Sequence, residues 1–148
     1  MSEFLEMTVD KFTFRVAIDR LYTREGLWEK KEDALVRIGL SDFVQQRSGD
    51  VAFAEIKSVG TMLAFDDEIA SIETIKVNIS LGSPLAGRIL EINPVMETAP
   101  ETLNLDPYDQ GWLALLEPSD WNVDQARLLN ARAYLDIIRS EAEQELDR

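Results

Sequence analysis

Residues 68–83 read Glu-Ile-Ala-Ser-Ile-Glu-Thr-Ile-Lys-Val-Asn-Ile-Ser-Leu-Gly-Ser, and the fold turns on this stretch. Isoleucine and valine on both sides of Lys76 favour extended backbone, while a charged amine is costly to bury between strands. The expectation is a β-hairpin in which Ile69 and Ile72 lead in, Ile79 and Leu81 lead out, and Lys76 stands at the exposed tip. Such a lysine is either an ordinary solvated turn residue or an amine offered to another molecule.

Outward from the hairpin, the chain continues to read as strands. Phe12, Phe14, Val16 and Ile18 recur at period two and predict a half-buried strand over 12–18. Residues 21–31 read as a loop entering a second strand, and 34–40 as a third, with Glu32-Asp33 making a hairpin between them. Ser41, Asp42 and Gly49 bracket a short helix as N-cap, first-turn acid and C-cap. Asp50 to Ile56 is apolar on both sides and is expected inside a sheet, and 88–92 alternates as a strand stopped by Asn93-Pro94. The proline-rich stretch 95–110 reads as an ordered surface loop, and 111–116 as a last buried strand closed by Pro118. Beyond Trp121 the period becomes helical, with Leu128, Ala131, Leu135, Ile138 and Ala142 forming one stripe and Arg127, Arg132, Asp136, Arg139, Glu141 and Glu143 on a solvated face.

The composition fits one domain over 1–148, made of an N-terminal extension with a strand (1–20), a β core (21–118) and a C-terminal helical segment (119–148). A formal charge of −13 argues against a grip on nucleic acid or an anionic membrane and for a soluble monomer. The chain has no Cys and no His, which removes thiol nucleophiles, disulfides, Cys/His metal sites and imidazole catalysis. Ser41, Ser48 and Ser58 therefore lack an imidazole base. Asp66-Asp67-Glu68, with Glu73 nearby, lacks the alternating acids and central glycine of a calcium loop, so no metal site is expected. The glycines form no phosphate cradle. Trp28, Trp112 and Trp121 read as core and interface anchors. No signal peptide or span of about 20 apolar residues is present, which makes the cytoplasm the default compartment. Elimination leaves a small β-rich carrier that displays one lysine and has no catalytic residues of its own.

An ordered series of short motifs resembles the H-protein of the glycine cleavage system and its lipoyl-carrying relatives. It runs through Tyr22-Thr23, Trp28, Ile38-Gly39-Leu40-Ser41-Asp42-Phe43, Gly49-Asp50-Val51, Val59-Gly60 and Glu73-Thr74-Ile75-Lys76. It continues through Ser83-Pro84, Gly87, Glu91-Ile92-Asn93, Asp106-Pro107-Tyr108, Gly111-Trp112-Leu113 and Ser119-Asp120. The resemblance implies a biotinyl/lipoyl-type barrel-sandwich fold with flanking helices, lipoate joined to Lys76 through an amide, and Glu73 as the residue a lipoylating enzyme recognises. It also implies partners: a lipoate–protein ligase or lipoyl synthesis enzymes to load the arm, and dihydrolipoamide dehydrogenase or a comparable complex to use it. The arm would bring the thiol–disulfide couple that a cysteine-free chain lacks.

Two positions depart from the glycine cleavage pattern. Where that pattern reads His-Glu-Trp, this chain has Gly26-Leu27-Trp28, and where an acid usually follows the lysine by four residues, it has Ser80. Those carboxylates contact the aminomethyl cargo in the family, and a cationic amine wants such partners. With Leu27 and Ser80 in their place, the chain most resembles the lipoate-binding proteins that work with heterodisulfide-reductase-like complexes in sulfur oxidation, where no cation is carried. The alternatives are a divergent glycine cleavage H-protein using neighbours such as Glu25 or Asp67, and a non-lipoylated interaction module.

Overall fold

The computed structural model describes residues 3–146; the ends of the 1–148 domain reading, residues 1–2 and 147–148, lie outside it. The first elements are β1 (Phe4–Val9), β2 (Phe12–Ala17), β3 (Leu21–Tyr22), β4 (Leu27–Glu32), β5 (Leu35–Leu40), α1 (Asp42–Ser48) and β6 (Val51–Ile56). Next come β7 (Met62–Leu63), β8 (Glu68–Thr74), β9 (Asn78–Gly82) and β10 (Gly87–Ile92). The chain closes with α2 (Val95–Thr98), α3 (Thr102–Leu105), β11 (Ala114–Pro118), α4 (Trp121–Gln125) and α5 (Ala131–Leu146).

Strand pairing explains how the hydrophobic pattern is used. β1 and β2 form a separate hairpin, β3-β4-β5-β11-β10-β7 form a six-stranded sheet, and β6-β8-β9 a three-stranded one. Asp10 and Asp33 take positive φ at the turns after β1 and β4, a conformation aspartate tolerates better than most residues. Leu27, Ile38, Leu40, Ile69, Ile72, Leu81 and Ile89 fill the space between the two larger sheets. A second cluster, built around Phe14, Tyr22, Trp28, Phe43, Tyr134 and Ile138, packs the N-terminal hairpin and α5 against the outside of the six-stranded sheet. The mainly β architecture with a C-terminal helix is the one expected from the sequence, and α5 buries Ala131, Leu135, Ile138 and Ala142 as the stripe predicts.

Several expectations are corrected. The N-terminal segment holds two strands rather than one, and Phe12 and Ile18 at the ends of its alternating face are exposed. β6 lies at the edge of the three-stranded sheet instead of inside one; a bulge between Val51 and Phe53 turns Phe53 and Glu55 outward. The stretch 95–110 contains α2 and α3, which bury Met96 and Leu103, so it is part of the core and not a surface loop. Trp28 is fully buried and donates from Nε1 to Pro107 O (2.9 Å), whereas Trp112 is only half-buried beneath the Arg37 guanidinium, 4.3 Å from its ring. Leu128 falls in the connector before α5, while the charged face of that helix is exposed as expected, Glu141 also pairing with Arg47.

Candidate functional site

Lys76 lies in the Ile75-Lys76-Val77 loop between β8 and β9, with Glu73 opposite Asn78 and Ile72 opposite Ile79. Residues 75–78 are all exposed, and among the described residues Lys76 makes no ion pair. The tip is nonetheless well fixed. Thr74, buried beneath it, accepts the Lys76 and Val77 amides on Oγ1 (3.1 and 3.0 Å) and donates to Ser48 O (2.7 Å), while its own amide donates to Val77 O (2.9 Å). Ile75 N donates to Asp50 O (3.1 Å), which ties the loop to the turn after α1.

That turn is in turn held from a third direction. Gly49 sits at φ 87°, a left-handed conformation that favours glycine, and a Cβ there would stand 3.4 Å from Lys76 Cδ, so the lysine stem rests on the glycine backbone. Asn104 of α3 donates to Gly49 O (3.0 Å) and accepts from Val51 N (2.9 Å). The segment that read as a loop thus braces the site. The helix expected over 41–49 supplies the remaining support: Ser41 caps Val44 N and shares a hydrogen bond with Tyr134 Oη (2.6 Å).

Sequence reasoning singled out Lys76 and Glu73, which the structure places at and just before the hairpin tip, and passed over Thr74 and Asn104, which brace it. A threonine two residues before the loop centre was the available signal, because its hydroxyl can bond its own turn; Asn104 gave none, since its partners are distant in sequence.

The two departures occupy unlike surroundings. Leu27 is buried opposite Leu40 in the interior between the sheets. Ser80 is exposed and donates to Glu68 Oε2, and the Lys57 ammonium lies 3.3 Å from the same carboxylate. These two contacts, the Ser80 hydrogen bond foremost, hold the Glu68 carboxyl below the usual carboxylate range. Nearby, at the base of the hairpin, Gly82 and Ser83 open onto a cleft of about 220 Å³ whose charged lining is Arg24, Glu25, Asp66 and Arg127. The Arg127 guanidinium lies 4.3 Å over the Phe65 ring. Asp67 is committed elsewhere, accepting from Ala64 N (2.8 Å) within its turn.

Glu29 was not expected. It is buried opposite Ile38 and Leu21, and neither carboxyl oxygen has a hydrogen-bond partner among the described residues. Burial, and secondarily the charge of Glu25, push its carboxyl well above the usual range. Among the described residues no group of three or more acidic side chains could hold a metal, and no helix is long and apolar enough to cross a membrane.

The family model described as Glycine cleavage H-protein matches residues 20–141. The glycine cleavage system H protein of Oceanobacillus iheyensis is 40% identical over 116 residues, which cover 78% of this chain and 91% of that protein. That of Thermus thermophilus is 36% identical over 124 residues, 84% of this chain and 96% of the relative. The crystal structure of a glycine cleavage system H protein from Mycobacterium marinum superposes with a TM-score of 0.71 at 28% identity, covering 79% of this chain and 94% of that one.

Proposed function

The chain belongs to the glycine cleavage H-protein family, and from that premise we propose that Lys76 is the attachment point of a covalent lipoyl arm and Glu73 the residue that the attaching enzyme reads. Members of this family are lipoyl carriers that serve partner enzymes and do no catalysis of their own. The observation that carries the proposal is an exposed, unpaired amine on a tip that Thr74 and Asp50 hold rigid. When bound, the group supplies a two-electron dithiolane couple to a chain without cysteine. The protein's part is to hold the attachment point clear of the body, so that the arm is presented to successive partners at high local concentration.

For the cargo, the named relatives favour the aminomethyl group of glycine cleavage over the sulfur chemistry that Leu27 and Ser80 point to. The carboxylates able to meet a cation are then Glu25 and Asp66 in the hairpin-base cleft, Asp66 replacing the Asp67 that the sequence favoured. We place the protein in the cytoplasm as a single monomeric carrier unit, loaded by a lipoate–protein ligase or lipoyl synthesis enzymes and reoxidised by dihydrolipoamide dehydrogenase. One observation favours the second reading, a carrier for a heterodisulfide-reductase-like complex: Arg24 and Arg127 balance Glu25 and Asp66 in the same cleft.

The test has two stages. Intact mass of protein made with lipoate supplied should show one lipoyl adduct that is lost in Lys76→Arg; an unmodified wild type under conditions that load a control carrier would sink the carrier reading. The lipoylated protein should then support glycine–bicarbonate exchange by glycine decarboxylase. Failure there, with loading intact, would transfer the assignment to sulfur carriage.

A further inference from the structure

The outer face of the three-stranded sheet and the loop at its tip carry large apolar side chains left uncovered among the described residues. Phe53 is 67% exposed, Ile75 75% and Val77 47%. Phe53 stands opposite Glu73, and Glu73 opposite Asn78, so the three form one row across β6, β8 and β9; side chains so opposed are about 5 Å apart at Cβ. Ile75 continues the surface toward the tip, where a Cβ on Gly49 would meet both Ile75 Cγ1 (3.6 Å) and the Lys76 stem. Exposed carboxylates border it: among the described residues Asp50, Glu55 and Glu73 make no ion pair, and the neighbouring Lys57 is engaged by Glu68.

A second copy of the chain is a poor occupant, because each copy carries −13 and brings the same acidic border. A protein that reaches Lys76 Nζ passes over Ile75 and Val77, its exposed neighbours in the loop, and one with an apolar pocket and a basic rim complements this surface. We propose that Phe53, together with Ile75 and Val77, is the anchor for the enzyme that acylates Lys76. That enzyme then recognises the folded sheet, with an aromatic on a different strand from the lysine, and not the hairpin sequence alone. This rests on the carrier reading above and adds the partner's footprint to it. In the transfer, the neutral Lys76 amine attacks the acyl carbon of a mixed acyl–phosphate anhydride held by the enzyme. The C–N amide bond forms, the C–O bond to the phosphate leaving group breaks, and the amine proton passes to solvent.

Unmodified wild type, Phe53→Ser and Val77→Ser are each titrated against a lipoate–protein ligase supplied with ATP and lipoate, and adduct formation is followed by intact mass. An exposed anchor of this kind should raise KM for the protein substrate about tenfold with kcat little changed, and KM of the wild type should rise as sodium chloride is added. Equal urea midpoints confirm that the variants fold, and Val77→Ser, in the loop, reports independently if Phe53→Ser does not. Wild-type KM and kcat in both variants would overturn the docking surface while leaving the carrier reading intact; absence of any adduct on the wild type would overturn both.

Discussion

Replacing Glu29 by methionine should stabilise the protein, and replacing it by glutamine should remove one pH-dependent component of its stability. Both carboxyl oxygens are buried with no hydrogen-bond partner among the described residues, and a polar group left so costs about 1–3 kcal/mol. Methionine matches the length of the side chain, adapts to irregular space and has no such cost, so a gain of that size is expected, or about 2–4 °C in Tm for each kcal/mol in a chain of this length. The pH dependence follows from the direction of the shift. Burial raises the folded-state affinity for the proton, so above the ordinary carboxylate range the unfolded chain has lost a proton that the folded chain keeps. Stability from this group is therefore fully present below that range and falls as pH rises toward the folded-state value, by up to about 1.4 kcal/mol per pH unit. Urea unfolding of wild type, Glu29→Gln and Glu29→Met across the acid-to-neutral range, at matched m values, isolates the effect from the other carboxylates. The wild-type curve should drop away from that of Glu29→Gln as pH rises. Parallel curves for the two, or a methionine variant less stable than wild type, would mean that the carboxyl is charged and partnered, and the reasoning would fail.

Thr74→Val keeps the shape of the buried residue but orphans the Lys76 and Val77 amides and Ser48 O. It should cost about 1–3 kcal/mol and speed hydrogen exchange at residues 76 and 77; unchanged exchange would show that the tip is held by other means. Leu27→Glu should cost about 3 kcal/mol or more, because it buries an unpaired carboxyl in the apolar interior near Glu29. The exposed Ser80→Asp should stay within about 0.5 kcal/mol of wild type. Urea midpoints of the two variants check this contrast, and wild-type stability in Leu27→Glu would place position 27 within reach of solvent.

What could be read from sequence was what local chemistry decides. The Lys76 hairpin, the caps of α1 and the stripe of α5 each follow from neighbours within a few residues. What escaped depends on partners far along the chain. The two short helices after Pro94 are hidden by their prolines, and they hold because Met96 and Leu103 reach the core while Asn104 clamps the Gly49 turn. β6 looked interior since Val51, Phe53, Ala54 and Ile56 are all apolar, yet its position at a sheet edge and the bulge after Val51 set which of them face water. Glu29 sits in Trp-Glu-Lys-Lys-Glu, a run that reads as a polar strand; only its registry with Leu21 and Ile38 carries it inside.

The placement of Leu27 and Glu29 bears on the cargo proposed above. Side chains two apart on a strand share a face, so Leu27 and Glu29 both point into the interior from β4. One carboxyl is thus present on this face, but it stands one pleat along from position 27, buried opposite Leu21 and Ile38. An acid closed off from solvent in this way gives no grip on a cation, so its presence does not compensate for Leu27. Ser80 offers no substitute either, because the carboxylate it bonds, Glu68, already pairs with Lys57. At the hairpin base, the cleft at Gly82 and Ser83 holds two carboxylates and two guanidiniums. On the carrier reading proposed above, a partner that covered one member of the set Glu25, Asp66, Arg24 and Arg127 would shift the charge of this cleft, so discrimination between a cationic and an anionic or neutral cargo would belong to the complex rather than to the carrier alone.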